Sequence, residues 1–219
     1  MSRAIDLLLI FLVSIPTLPV AIIIFIILYL RHGEAIYKQS RVGFGGKQFS
    51  LYKFKTMAVW DEEQLNEYLS KLKPEEVHYF VTMRRFNNDP RVDTFSRFLR
   101  ITKLDEIPQF YNIALGDMTF VGLRPVIAEE LGVYQNHNIQ YTDFTPGLTG
   151  LFQLLNCKTI ETQLFWDKLY VNNKSIWLNM CIIFLTPIFI LLQVFGLSDL
   201  CEKKLRRYIS TNSKSNFTV

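Results

Sequence analysis

Two adjacent carboxylates, Asp105 and Glu106, follow a run of cations that includes Arg84, Arg85, Arg91, Arg97, Arg100 and Lys103, set against Asp89 and Asp93. They lie in the segment Leu104-Asp105-Glu106-Ile107-Pro108-Gln109. Proline is tolerated in the first turn of a helix and not beyond it, so a helix is expected to begin near Asp105. Both acids would then sit at a positive helix terminus. Aspartate followed by glutamate is also an ordinary capping sequence, and on these residues alone both readings stand. In the chemical reading the pair meets a metal–diphosphate substrate. One carboxylate attacks phosphorus while the other binds Mg²⁺ or handles a proton. Further along, Gly116-Asp117 reads as a turn, and Arg124 stands between Leu123 and Pro125. Such an arginine could clamp a phosphate through two parallel hydrogen bonds, although a surface ion pair is its commoner use. Residues 146–153, PGLTGLFQ, read as a turn-rich loop with no chemical signature of its own.

These residues must be positioned by the elements around them. Residues 35–57 alternate in polarity around Gly43, Gly45 and Gly46, the pattern of a β-hairpin, with Lys53 and Lys55 on its second strand as further candidate phosphate contacts. The Gly-Gly-Lys here is not a nucleotide-binding P-loop. That motif needs glycine and a hydroxyl residue where Arg41 and Gln48 stand. Asp61-Glu62-Glu63 opens an amphipathic helix striped by Leu65, Tyr68, Leu69 and Leu72. Pro74 opens another, with Val77, Phe80 and Val81 inward, and residues 87–90 form a turn.

Across the 219 residues, hydrophobic residues reach 49% and charged residues only 20%. The mean hydropathy is +0.15. A chain so poor in charge points to a membrane before any motif is read. The net charge of +4 suits phosphate-bearing ligands or an anionic lipid surface, and nothing points to nucleic acid. Cys157, Cys181 and Cys201 form neither a disulfide framework nor, with three histidines, a zinc pattern.

Residues 7–30 carry no charge. At about 1.5 Å per residue such a run reaches roughly 36 Å, enough to cross a hydrocarbon core of about 30 Å. Pro16 and Pro19 interrupt it. Two structures fit: a single span kinked by proline, which general tolerance favours, or a helix–break–helix that dips into the bilayer and returns to the same face. In either case the basic residues that follow place its C-terminal side in the cytoplasm. A second apolar stretch, 176–197, precedes a tail containing Lys203, Lys204, Arg206, Arg207 and Lys214. Exporting that tail would violate the positive-inside rule, so a helix lying in the interface is expected, with the tail against anionic head groups. A buried core helix is the alternative for this segment.

Taken in order, QSRVGFGGKQFSLYKFKTM, NDPRVDTFSRFLRITKLDEIPQFYNIALGDMTFVGLRP and PGLTGLFQ resemble the bacterial sugar transferases, the monotopic phosphoglycosyl transferases that act on polyprenol phosphate, in their minimal catalytic form. The resemblance runs from about residue 4 to 190. It implies transfer of a sugar-1-phosphate from a UDP-sugar to polyprenol phosphate with release of UMP, as the first membrane step of surface-glycan assembly. It further implies Asp105 as the nucleophile that carries a covalent phosphosugar, and Glu106 as its partner near Mg²⁺. Arg100 and Arg124 match phosphate-contacting arginines. It also turns the reading of the N-terminal segment from a span to a re-entrant helix broken near Pro16 and Pro19. The sequence departs from the family pattern at Leu18, where serine is usual before the proline, and at Leu123, where proline is usual before Arg124. It departs again at Asn156-Cys157, which puts sugar specificity in doubt, and at Asn179 and Cys181, which leave the last helix less charged.

The expected fold class is therefore α+β and mainly helical: an N-terminal re-entrant membrane helix (1–32), a catalytic domain (33–170) containing a small β-hairpin, and membrane-surface helices that include an interfacial apolar helix with a basic tail (171–219). The expected location is the bacterial inner membrane with the catalytic domain on the cytoplasmic face, and a homodimer is allowed for. Two other functions compete: a lipid-directed glycosyltransferase that releases UDP, and a non-catalytic membrane scaffold. The absence of an obvious doubly wound nucleotide-binding pattern weighs against the first.

Overall fold

A computed structural model describes residues 2–83, 89–154 and 160–197. Arg84 and Arg85, part of the 87–90 turn, the Asn156-Cys157 pair and the basic tail lie outside them.

The chain opens with α1 (Arg3–His32), which carries Pro16 and Pro19 inside it and ends at Gly33 in the left-handed conformation. Helical backbone runs through both prolines, and the Thr17 hydroxyl donates to the Val13 carbonyl at 2.7 Å. The antiparallel hairpin follows as expected, β1 (Ile36–Val42) pairing with β2 (Gln48–Phe54) in a register from Ile36↔Phe54 to Val42↔Gln48. Gly45 takes φ 67° in the connecting turn, a conformation that costs other residues a Cβ clash. Next come α2 (Glu62–Ser70) and α3 (Pro74–Met83). Asp61 caps α2 in a reciprocal box with Gln64, and Pro74 occupies the first position of α3.

The segment that carries Asp105 and Glu106 then runs through α4 (Thr94–Ile101), a 3₁₀ turn (Leu104–Glu106) and α5 (Gln109–Leu115). The α-helix expected to begin near Asp105 begins at Gln109 instead. Pro108 has no N–H to give the Leu104 carbonyl, so the preceding turn closes through shorter bonds, Glu106 N–H to Lys103 O and Ile107 N–H to Leu104 O.

The two segments read as turns each contribute a strand. β3 (Thr119–Val121) and β4 (Gly147–Thr149) pair in parallel, and α7 (Leu151–Leu154) follows β4 directly. Glycine permits the approach: a Cβ on Gly147 would lie 2.0 Å from the Gly122 nitrogen, and one on Gly150 2.3 Å from the Gly122 oxygen. Between them lies α6 (Leu131–Asn136), and after them α8 (Ile160–Asn173) and α9 (Ile176–Val194).

One core joins the hairpin to α5, β3 and α6 through Val42, Phe49, Leu51, Ile113, Val121 and Tyr134, and reaches α9 through Ile182. A smaller one gathers Ile24 and Leu28 of α1 with Ala35, Phe54 and Leu99. Asn112, fully buried, ties α5 to β2: its Oδ1 accepts from Tyr52 N–H at 3.1 Å and its Nδ2 donates to Ser50 O at 2.7 Å. The amide thus satisfies backbone groups that a neighbouring strand would otherwise have to pair.

Helices α1 and α9 are each long and apolar enough to cross a membrane, with mean hydropathies of 2.8 and 2.1 in their most apolar windows. Neither is a core helix. Phe11, Ile15 and Leu18 of α1, and Phe184, Ile188 and Leu191 of α9, are exposed. Apolar surface on this scale needs lipid or protein to cover it. Both helices are also fastened to the rest of the fold. Near its start, α1 sends the Arg3 guanidinium to the carbonyls of Ile113 and Ala114, and Asp6 accepts from the Thr119 hydroxyl and the Phe120 N–H at 2.9 Å. Near its end, Arg31 pairs with Asp93 at 2.9 Å. Helix α9 is held by Asn179, whose Oδ1 receives the Tyr170 hydroxyl at 2.9 Å, and by a 2.9 Å contact between the Thr149 and Thr186 hydroxyls.

Candidate active site

Asp105 and Glu106 project from the 3₁₀ turn between α4 and α5, which packs against the hairpin. The turn starts from Lys103, which holds φ 59°, a left-handed conformation uncommon for a residue with a side chain. Asp105 is buried and caps no helix, and its Oδ1 has no hydrogen-bond partner among the described residues. The capping reading therefore fails for this residue. A buried carboxylate left without a donor is costly, and it is the state in which a nucleophile is least encumbered. Burial first, and the Glu106 charge second, push the Asp105 pKa up to about 6. Lys53, Lys103 and Arg100 act against that rise.

Glu106 is the complementary case. Burial opposes its charge, but Lys53 and Lys103 prevail and hold its carboxyl below the usual range. Lys53 Nζ donates to Glu106 Oε1 at 3.0 Å. The hairpin thus delivers a cation from β2 to the acid pair. Lys55 is turned elsewhere and pairs with Glu34, just beyond α1, at 2.8 Å. Arg100 is held by its Nε on the Thr56 hydroxyl at 3.0 Å, near enough to favour the Asp105 charge. Arg124 contributes to the low pKa of Glu106. Its Nη1 lies 3.3 Å from Glu130, and Glu130 also lies 3.9 Å from Arg41.

Several supporting residues were not singled out from the sequence. Arg41 is tethered to Pro125 O at 3.0 Å and to Gln39 at 2.7 Å, and burial together with the neighbouring Arg124 charge lowers its pKa. Two guanidinium groups facing one glutamate form a site where an added anion relieves repulsion. Tyr141 fixes the loop between them, donating to Arg124 O at 2.9 Å and accepting from Val126 N–H at 3.3 Å. Behind that loop Asp167, also raised to about 6 by burial, receives the Tyr134 hydroxyl at 2.7 Å. Lys103 was visible as one cation of the run, but its backbone conformation and its influence on both acids were not. Pro16 and Pro19 lie in the middle of α1.

No group of three or more protein ligands suited to holding a metal by themselves occurs among the described residues. Mg²⁺ does not need one, since it commonly takes one or two carboxylates and completes its shell with substrate phosphates and water. An orphaned Asp105 oxygen beside Glu106 fits that mode of binding.

Comparison with known proteins matches residues 1–193 to the model of the bacterial sugar transferase family. The chain belongs to that family. It is 37% identical over 156 residues to the undecaprenyl-phosphate galactose phosphotransferase of Salmonella typhimurium, covering 70% of this chain and 33% of that protein. It is 34% identical over 188 residues to the exopolysaccharide production protein ExoY of Sinorhizobium fredii, covering 84% and 83%. It is 32% identical over 171 residues to the UDP-glucose:undecaprenyl-phosphate glucose-1-phosphate transferase of Xanthomonas campestris pv. campestris, covering 74% and 32%. The chain spans about a third of the length of several of the curated relatives it matches.

Proposed function

We propose that this chain transfers a sugar-1-phosphate from a UDP-sugar to polyprenol phosphate through a covalent phosphosugar on Asp105, with release of UMP. The observation that carries the reading is a buried Asp105 carboxylate, its Oδ1 without a hydrogen-bond partner among the described residues, set beside the Lys53–Glu106 pair. In the first displacement an Asp105 oxygen forms a bond to the β-phosphorus of the donor. The bond from that phosphorus to the bridging oxygen breaks, and the electron pair leaves on UMP. In the second, a phosphate oxygen of the polyprenol phosphate attacks the same phosphorus and the Asp105 carboxylate is released. Each step drives an anion toward an anion, so cations must neutralise the approach. Lys53, Lys103 and Arg100 bear on Asp105, and Arg41 and Arg124 form a second cationic site nearby. Glu106 and Asp105 are the residues that would hold Mg²⁺, which when bound neutralises diphosphate charge. Splitting the transfer lets a water-soluble donor leave before a lipid acceptor arrives.

The same reading takes α1 as a re-entrant element rather than a span, in a bacterial inner membrane with the active site on the cytoplasmic face. Its support is the attachment of both ends of α1 to one catalytic domain, Asp6 at β3 and Leu28 beside Leu99.

The test is nucleotide release by purified protein with Mg²⁺, undecaprenol phosphate, and UDP-glucose or UDP-galactose. UMP is expected. UDP would move the chemistry to an ordinary glycosyltransferase and remove the role of Asp105.

A further inference from the structure

A cavity of about 580 Å³ runs between α1 and α9, over the end of the catalytic turn. Val13 and Thr17 of α1 line one side, and Ile183 and Pro187 of α9 line the other. Phe110 and Phe120 lie at its base. The charged residues on its wall are Lys103 and Glu106, close together in sequence. Glu106 is already paired with Lys53, whereas Lys103 forms no ion pair among the described residues. The cavity is thus mostly apolar, with scattered threonine and glutamine side chains, and its one unpaired charge among the described residues is Lys103, beside Glu106.

Its walls are fixed before any ligand arrives. Thr186 donates to the Ile182 carbonyl of its own helix at 2.7 Å and therefore accepts from Thr149 at 2.9 Å, which pins the middle of α9 to β4. Asn179, held by Tyr170, pins the start of α9. The far side of the helix is exposed and apolar. A helix tied on one face and greasy on the other forms a boundary between lipid and the catalytic domain.

We infer that this slot seats the phosphate-proximal end of an isoprenoid chain, with α9 as one wall of the acceptor site and Lys103 receiving the acceptor's phosphate. The inference rests on the phosphosugar-transfer reading above. A single tail ending in one phosphate matches a cavity with one charged end, whereas a diacyl phospholipid brings two tails joined at glycerol. Leaving a bilayer for an apolar slot gains little hydrophobic free energy, because lipid tails are as apolar as the walls. The slot therefore acts through shape, setting where the phosphate comes to rest relative to Asp105. The volume suits the first isoprene units and leaves the rest of a long chain in the membrane.

Ile183→Trp, which narrows the slot without touching the acid pair, tests this in the full chain. UMP released from UDP-glucose or UDP-galactose in the absence of acceptor reports the donor half-reaction and also the integrity of the fold. The expected result is acceptor-free UMP within twofold of the parent, with the KM for undecaprenol phosphate raised at least tenfold. Unchanged KM with intact UMP release overturns the slot and leaves the transfer reading standing. A parent that releases no UMP overturns the transfer reading, and the slot with it. Should the variant fail to fold, photolabelling of the parent with a benzophenone-bearing farnesyl phosphate decides. Labelling of residues 176–194, suppressed by undecaprenol phosphate and not by excess phosphatidylglycerol, is expected. Labelling that avoids α9, or equal suppression by phosphatidylglycerol, overturns the inference.

Discussion

Asp105 is retained at a cost to stability: it is buried, it lacks a donor on Oδ1, and its pKa stands at about 6. Replacing it with asparagine removes the buried charge together with the proposed nucleophile. Asp105→Asn should lower UMP release at least about 10³-fold, by analogy with other nucleophile deletions, while its melting temperature equals or exceeds that of the parent. Calorimetry beside the activity assay checks both halves, and a variant that melts lower would show that the carboxylate is structurally supported. Lys53→Met should cost about 10²-fold in kcat, the usual scale for one electrostatic donor. Asp167 gives the pH prediction. Its folded pKa of about 6 lies above the ordinary aspartate value of 3.8, so the folded state binds the proton more tightly than the unfolded one. The stability it contributes is fully present below about pH 4 and is lost as pH rises through 6, on the order of 3 kcal/mol. Asp167→Asn keeps an acceptor for the Tyr134 hydroxyl and has no such titration. Relative to the parent, it should gain stability between pH 4.5 and 7.5 in denaturant melts. A constant difference across that range would mean that Asp167 does not titrate there.

At the scale of elements, the parallel β3–β4 pair is the most constrained feature, because a methyl group on Gly147 would meet the Gly122 nitrogen at 2.0 Å. Gly147→Ala must separate the strands that carry the Arg124 loop and α7. A loss of about 3 kcal/mol, at the upper end of overpacking costs, is expected in thermal melts. The same pair shows where sequence patterning stops being informative. The hairpin was legible because its strands alternate and its turn is rich in glycine. The first turns of α2 and α3 were legible because Asp61 and Pro74 are strong local signals. β3 and β4 were not, because each is three residues long and reads as punctuation until its distant partner is known. At the candidate site, Asp105, Glu106 and Arg124 were named from residue type and order, Lys53 as a cation of the hairpin, and Arg100 through the family resemblance. Lys103 was passed over as one cation in a run because its left-handed backbone has no sequence signature. Arg41 was passed over because its neighbours, Pro125 and Glu130, lie more than eighty residues away. The helix start near Asp105 was misplaced by a few residues for a local reason: Pro108 imposes a 3₁₀ turn before it permits an α-helix.

At the scale of the molecule, the question is how a chain proposed to take one aqueous and one lipid substrate meets its membrane. Residues 7–30 are apolar enough to cross, and composition alone favours crossing. The attachments argue otherwise. Asp6 is bound to Thr119 and Phe120 while Leu28 packs beside Leu99, so both ends of α1 are attached to the same body of the fold, which supports the re-entrant reading proposed above. Pro16 and Pro19 each remove a backbone donor in the middle of the segment, although helical backbone runs through both. Single cysteines at Ser2 and Ser40, in a background with Cys157, Cys181 and Cys201 replaced, place the two ends independently. In sealed, oriented vesicles both should react with a membrane-impermeant maleimide from the same face. Reaction from opposite faces would make α1 a span and would require Asp6 to leave β3. Asp6→Ala supplies the complementary measurement. It strands the Thr119 hydroxyl and the Phe120 N–H, each worth about 1–3 kcal/mol when buried and unpaired. If that attachment holds the N-terminus on the catalytic side, Ser2Cys labelling should become heterogeneous in the variant while Ser40Cys labelling stays unchanged.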